Sequence, residues 1–389
     1  LSLAVRSGGH GFGAHCISPG GLTLDLRSMN SMYIDAERRT AWADAGLSAG
    51  EVTRALGGYD RAIGFGDNGA VGIGGITLGG GVGFLHRRFG LTLDNVLAVE
   101  VVTAAGDVVY ADDHSNADLF WAVRGGGGNF GVVTRIKYAL QPLSTVVGGM
   151  MMLRATPARL ASFVQAAVDA PDELCGIIAV LPAPPMPNVP PELYGQPLIF
   201  ALMAYAGTED DAARALAPLR GVGGVVADGI RPLRYAEIFE HGGPPPMPAV
   251  SVRSFYMDEF DDVAAGTTMH LLEESSAPMH AVQFRVLGGA VARVARDETA
   301  FVHRDRRIMG VAVAAFSDVH QAPEHDAWTD DVTWSLRQGG GAYPNFLGNV
   351  DGERVRDAYG AAWPRLRSVK AAWDPDNFFS ANHNIPPAL

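Results

Sequence analysis

Thirteen residues, Val71-Gly-Ile-Gly-Gly-Ile-Thr-Leu-Gly-Gly-Gly-Val-Gly83, constrain this chain more than any other stretch. Glycine is costly inside a helix, so the segment from Ala70 to Gly75 is expected to be a loop. A second glycine-bearing loop, Arg6-Ser7-Gly8-Gly9-His10-Gly11, lies upstream. Residues without a Cβ let backbone N–H groups approach a phosphate closely. Two such loops predict a site for a long, twice-phosphorylated cofactor, and His10 places a nucleophilic ring nitrogen beside it. The run Gly64-Phe-Gly-Asp-Asn-Gly69 matches G-x-G-x-x-G. That pattern marks a nicotinamide dinucleotide site only when a helix follows its third glycine, so a flavin loop is the better reading.

The motifs recur in a recognisable order. After Val5-Arg-Ser-Gly-Gly-His10 comes Gly66 to Gly83, which runs on into Arg88-Phe-Gly-Leu91 and Asp94-Asn-Val96. Then follow Asp118 to Thr134, with its run of four glycines, and Thr299-Ala-Phe-Val-His-Arg304. Leu366 to Phe379 and Asn382-His-Asn-Ile-Pro386 close the series. Taken together these resemble the FAD-linked oxidases of the berberine-bridge-enzyme type, in the vanillyl-alcohol-oxidase superfamily with a PCMH-type FAD-binding domain.

The resemblance implies a set of cofactor-binding residues. They are Arg6, Ser7, Gly8, Gly9, His10 and Gly11, then Gly66, Asn68, Val71 and Gly72, with Gly75, Gly79, Gly80 and Gly83. Asp94, Asn95, Gly131, Val132, Val133, Asn345, Asn382 and Asn384 complete it. It implies a covalent bond from His10 to the flavin 8α-methyl group. The cysteine that makes a second link in many relatives is here Asn68, so a single link is expected. Cys16 reads as a small buried side chain. Val71 falls where a valine or leucine is thought to gate oxygen, which favours oxidase over dehydrogenase. The usual catalytic tyrosine, last in Tyr-x-Asn-Tyr, is replaced in Tyr343-Pro-Asn-Phe346 by a residue that cannot take a proton. Tyr343, Gln283 and Tyr256 are the remaining candidates, Gln283 only to orient substrate. His303 and Arg304 read as structural, and His86 with Arg87 and Arg88 as a solvated helix start. The resemblance also implies a βαβ unit ahead of the Arg6–His10 loop, so a chain that opens at Leu1 reads as a fragment.

Composition narrows the class. A net charge of −12 without a basic run argues against nucleic acid. No apolar run reaches the roughly 18 residues a membrane span needs. Cys16 and Cys175 cannot build a disulfide framework, although one bridge stays open, and a cytoplasmic location is expected. Lysine occurs only at Lys137 and Lys370 against abundant arginine, a usage typical of GC-rich bacterial coding. No histidine grouping has metal-ligand spacing, and no Gly-x-Ser-x-Gly elbow appears.

The expected fold is α+β. A PCMH-type FAD-binding domain is split between both chain ends, 1–140 and 342–389. A substrate domain built on an antiparallel sheet, 141–341, is inserted between them. Leu22–Leu26 and Leu97–Thr103 read as strands, and Ala105-Gly-Asp107 as a hairpin turn to Val108–Tyr110. Helices are expected from Ser48 to Leu56, Pro157 to Asp169, Asp210 to Leu219, and Glu353 to Ala372 with a break at Pro364. Pro182 to Pro191 and Gly242 to Pro248 read as surface loops. The expected reaction is oxidation of a CH–OH or CH–NH group of a small molecule by hydride transfer to flavin, with O2 as acceptor. A flavin dehydrogenase, or a non-catalytic flavin or ligand-binding protein, are the alternatives.

Overall fold

The computed structural model describes residues 1–186, 188–240, 249–348, 350 and 352–388. The expected loop from Gly242 to Pro248 lies outside the described residues, as does Pro187 of the first proline-rich stretch. The chain opens with strand Leu3–Arg6, paired in parallel with Leu22–Asp25. The second strand is expected from its alternating leucines, yet every one of its residues is exposed.

A five-stranded antiparallel sheet follows, in the order Met32–Asp35, Thr40–Asp44, Val132–Ala139, Val96–Val102 and Val108–Ala111. Gly106 turns the last hairpin at φ +88°, as the Ala105-Gly-Asp107 signal requires. The helix Ala49–Gly57 begins at Ser48 with a full capping box: Ser48 Oγ accepts from the Glu51 amide, and Glu51 accepts from the Ser48 amide. Its face of Val52 and Leu56 joins Val99, Val101 and Ile136 in one core with the helices Ala117–Gly126 and Trp363–Trp373. The C-terminal helical stretch breaks where expected. Gly352–Tyr359 ends in a tight turn, and Trp363–Trp373 starts anew with Pro364 in its first turn.

The second sheet has eight strands, all drawn from residues 145–316. Its order is Val225–Asp228, Thr145–Arg154, Pro197–Tyr205, Leu174–Pro182, Met279–Val286, Ile308–Phe316 and Ala249–Met257, with Arg231–Arg234 also on the Thr145–Arg154 edge. All its recorded pairings are antiparallel. The helices Pro157–Val168, Asp262–Glu273 and Ala322–Leu336 cover one face, with Phe163, Leu272, Phe284 and Val332 in the shared core. Burying each such side chain stabilises by about 1.5–3 kcal/mol. The other face looks toward the glycine loops. Period-2 alternation decides which residues reach it. On Met279–Val286, the residues Val282, Phe284 and Val286 enter the helix-side core. Gln283 and Arg285 therefore point to the glycine-loop side.

Two expectations fail. Ile73–Leu78 is a short helix, although its glycines argued against one. Tertiary contacts hold it: the Ile73 amide donates to Leu47 O, and a Cβ on Gly74 would meet Ala45 O at 3.1 Å. The His86–Phe89 helix exists, but its start is not solvated. His86 is 2% exposed and Arg87 5%. Arg87 donates to the carbonyls of Ala167, Ala170 and Leu174, and His86 Nε2 lies 2.8 Å from Val286 O. These two residues tie the glycine loop to the large sheet. No helix among the described residues is long and apolar enough to cross a membrane.

Candidate active site

The first glycine loop leaves strand Leu3–Arg6 and is anchored at once, because Ser7 Oγ donates to Ala45 O at 2.6 Å. Gly8 then lies flat against Gly72 of the second loop. A Cβ on Gly8 would stand 2.2 Å from the Gly72 nitrogen, a distance no side chain tolerates. Gly9 turns at φ +80° and presents His10, which is exposed. The two glycine segments, 60 residues apart in sequence, thus form one backbone-lined floor.

Above that floor is a cavity of about 390 Å³. Its far wall is the turn Gly127–Val133, and its roof comes from Tyr343–Leu347 and Phe379–His383. A buried ion pair holds this roof. Lys370 Nζ donates to Asp374 at 2.6 Å, to Asn129 O at 2.6 Å and to Phe379 O at 3.0 Å. Burial draws the Lys370 pKa down, and Asp374 pulls it back up. Asn129 accepts from the Ile385 amide, and Asn382 donates to Gly128 O.

Most of the expected cofactor residues meet here. Ser7, Gly8, Gly9, His10 and Gly11 line the cavity, as do Gly66, Asn68, Val71, Gly72, Gly75 and Gly79. Gly131, Val132, Val133, Asn345 and Asn382 line it too. Six others do not line it. Asp94 is buried against Arg304 in a two-point ion pair at 2.7 Å, and it also accepts from the Leu91 amide. Asn95 donates to Phe89 O and Leu91 O and accepts from Gln141. Both shape the segment that follows the glycine loop. Gly83 leaves no room beside Phe65 O, and Gly80 packs under the Tyr343 ring. Arg6 Nε is buried without a partner among the described residues. Asn384 lines a neighbouring cavity of about 400 Å³, shared with His15, Asn382 and His383.

Of the catalytic candidates, Tyr343 alone lines the cavity. Its Oη accepts from the amides of Gly81 at 2.7 Å and Val82 at 3.3 Å, and from Asn345 Nδ2 at 3.0 Å. Burial raises its pKa, with the three donors opposing. Tyr256 is 1% exposed, packed at a tilt against His303 in the core behind the wall, and burial pushes its pKa well up. Gln283 sits on the cavity-side face of its strand. His303 Nε2 donates to Ala358 O at 2.8 Å, which matches the structural reading of that residue.

Cys16 corrects an expectation. It is half-buried and lines the cavity rather than filling a core, because the Gly11–Cys16 turn runs along the cavity edge, where Phe12 meets Phe346 and His15 meets His383. Cys16 and Cys175 are both free. His15 and His383 meet edge to face at 4.6 Å, and burial draws both below the usual imidazole range, His383 to about 4. Asp67 and its partner Arg285 are not legible as a site in the sequence, since a contact across 218 residues leaves no local signal.

The lining suits a long flavin nucleotide on two grounds. Added Cβ atoms at Gly11, Gly75, Gly127 and Gly128 would meet nothing within 4 Å, so the space these glycines leave open is the cavity itself. Asn382 Oδ1 is buried at the cavity wall without a partner among the described residues, as an acceptor awaiting a donor would be.

Comparison with known proteins agrees with the geometry. Residues 1–112 match the FAD binding domain family, and residues 342–386 match the family described as berberine and berberine like. (R)-6-hydroxynicotine oxidase of Paenarthrobacter nicotinovorans is 31% identical over all of this chain and 86% of its own length. The crystal structure of 6-hydroxy-D-nicotine oxidase from Arthrobacter nicotinovorans superposes with a TM-score of 0.88 at 28% identity, over 100% of this chain and 87% of that one. Glucooligosaccharide oxidase from Acremonium strictum, which carries a 6-S-cysteinyl, 8α-N1-histidyl FAD, shares the fold at TM-score 0.83 and 22% identity, over 100% and 87% of the two chains.

Proposed function

Because this chain belongs to the berberine-bridge-like FAD-linked oxidases, with FAD as its cofactor, we propose that it holds that FAD covalently on His10 and uses O2 to oxidise a CH–OH or CH–NH group. The observation that carries the covalent reading is the position of His10. It is an exposed imidazole at the cavity, held between two glycines on a loop that Ser7 and Gly72 pin down. An 8α-N1-histidyl bond in a protein of the same fold supports it. Asn68 supports a single link, since it has no thiol and its Oδ1 accepts from the Ala70 amide at 2.9 Å.

The bound flavin supplies a hydride acceptor that O2 reoxidises, giving H2O2. The protein's part is positioning. The two glycine loops and Gly131–Val133 cradle the nucleotide, Asn345 and Asn382 offer it polar contacts, and the small Val71 leaves O2 a path. Gly80, Gly83, Asp94 and Asn95 hold the second loop in shape from behind. The proposed division is a flavin domain from 1–140 and 342–389, with a substrate domain at 141–341. The substrate is a cyclic amine, a sugar or a secondary-metabolite alcohol; the first two are in line with the hydroxynicotine and the glucooligosaccharide for which the three named oxidases are called. Two free cysteines suit the cytoplasm.

Acid precipitation tests the link. The expected result is yellow colour that precipitates with the parent protein and is released from His10→Ala. Colour released from the parent would overturn the covalent bond. A panel of amines and alcohols assayed for peroxide tests the oxidase reaction, and its failure with every compound would overturn that part.

A further inference from the structure

The residue that replaces the expected tyrosine, Phe346, cannot accept a proton. Tyr343 Oη already receives three hydrogen bonds. Near Phe346, the cavity wall nevertheless carries a carboxylate. Asp67 is the only Asp or Glu lining the cavity among the described residues. It sits in the loop Gly66–Gly69, directly before Asn68. Arg285, on the cavity-side face of Met279–Val286, donates from Nη2 to Asp67 Oδ2 at 2.6 Å. Oδ1 has no hydrogen bond among the described residues, and the Asp67 side chain is 28% exposed. One oxygen is anchored from behind while the other is free to meet a ligand.

Arg285 is built to hold rather than to roam. It is 3% exposed, its guanidinium lies over the Phe346 ring at 4.9 Å, and Nε and Nη1 lack partners among the described residues. A buried cation needs a fixed counter-charge, and Asp67 is the one it has. A cation–π contact fixes the cation against the ring that lines the cavity. The ion pair and Phe346 thus form one unit at the cavity wall.

We propose that Asp67 is the catalytic proton acceptor of this oxidase and that Arg285 is its positioning residue. This rests on the flavin-oxidase reading above. In the step, the substrate O–H or N–H proton passes to Asp67 Oδ1. The C–H bond breaks with its electron pair leaving as hydride to the flavin. A C=O or C=N bond forms, so the substrate loses two electrons. O2 later takes those two electrons with two protons, one from Asp67 and the other carried over with the hydride, to give H2O2. The substrate class follows: a compound with a hydroxyl or N–H on the carbon that is oxidised, rather than one lacking an exchangeable proton there.

The test uses the flavin-loaded protein without O2, and follows flavin reduction by cellobiose, benzyl alcohol and pyrrolidine. Asp67→Asn should slow reduction by about 100-fold or more while half-saturation changes little, as expected for a lost general base. Asp67→Ala should be partly restored by formate, a carboxylate small enough to sit beside Arg285. Arg285→Gln should slow reduction, and Arg285→Lys should recover part of the loss. The flavin midpoint potential gives a readout independent of any substrate: Asp67→Asn should raise it by removing an anion, and Arg285→Gln should lower it by removing a cation. Reduction of Asp67→Asn at the parent rate, or no effect of formate on Asp67→Ala, overturns the proposal. If no compound reduces the parent flavin, the oxidase reading fails on its own account, and the potentials decide for the pair. Unmoved potentials in both variants then place it away from the flavin and overturn the proposal.

Discussion

Tyr343 Oη accepts a 2.7 Å hydrogen bond from the Gly81 amide, joining the C-terminal segment to the middle of the glycine loop across 262 residues. The Val82 amide and Asn345 Nδ2 complete the cluster. A phenol oxygen that receives three donors supports the loop. Tyr343→Phe would leave two buried amides unpaired and is expected to cost about 1–3 kcal/mol. Urea unfolding should show that loss. Flavin reduction in the variant should stay within about tenfold of the parent, well short of the 100-fold or more a lost proton acceptor costs.

Lys370 and Asp374 are both fully buried, with Nζ and Oδ2 2.6 Å apart. Asp374 also accepts from the amides of Phe378 and Phe379. Lys370→Met would strand that carboxylate and release the contacts to Asn129 and Phe379. The expected loss is about 3–5 kcal/mol. Thermal unfolding checks it, and flavin retention should fall with it because the roof of the cavity hangs on this pair.

Two glycines of one segment should respond in opposite ways. A Cβ on Gly72 would stand 2.1 Å from the Gly8 nitrogen, whereas one on Gly75 meets nothing within 4 Å. Gly72→Ala should destabilise the fold by about 1–3 kcal/mol through overpacking. Gly75→Ala should leave stability unchanged or slightly raised, yet weaken flavin binding by intruding on the cavity. Unfolding curves of the flavin-free proteins, set beside their flavin content after expression, separate the two effects.

His86 makes the protein acid-sensitive. Burial draws its pKa from 6.5 to about 4, with the carbonyls of Gly83 and Val286 opposing. The depressed value means that the unfolded chain takes up the proton first. Stability from the neutral ring is therefore complete above pH 6.5 and drains away as pH falls toward about 4. Between pH 7 and 5 the loss should be on the order of 2 kcal/mol. His86→Gln should flatten that dependence in urea unfolding at the two pH values.

Local physics makes much of this protein legible in its sequence. Ser48 and Glu51 announce a helix start because a cap involves residues three apart. Gly106 announces a hairpin because the turn needs its positive φ. Gly8, Gly9, Gly72 and Gly75 announce a nucleotide site because a missing Cβ has a consequence wherever it occurs. The order of these motifs identified the family, and with it the cofactor.

Burial and pairing were decided elsewhere. Nothing near Arg87 in sequence says that three carbonyls from 167, 170 and 174 will enclose its guanidinium. The Ile73–Leu78 helix exists because Leu47 and Ala45 lie beside it, against its own glycine content. Asp67 and Arg285 become a pair only when a loop of one sheet region meets a strand of the other. The order of residues along the chain carries the conformations that neighbours impose on each other, and through the order of its motifs the family and its flavin. Which charges lose water and which face a cavity was settled by the assembled fold, because desolvation depends on every chain segment that arrives around a group.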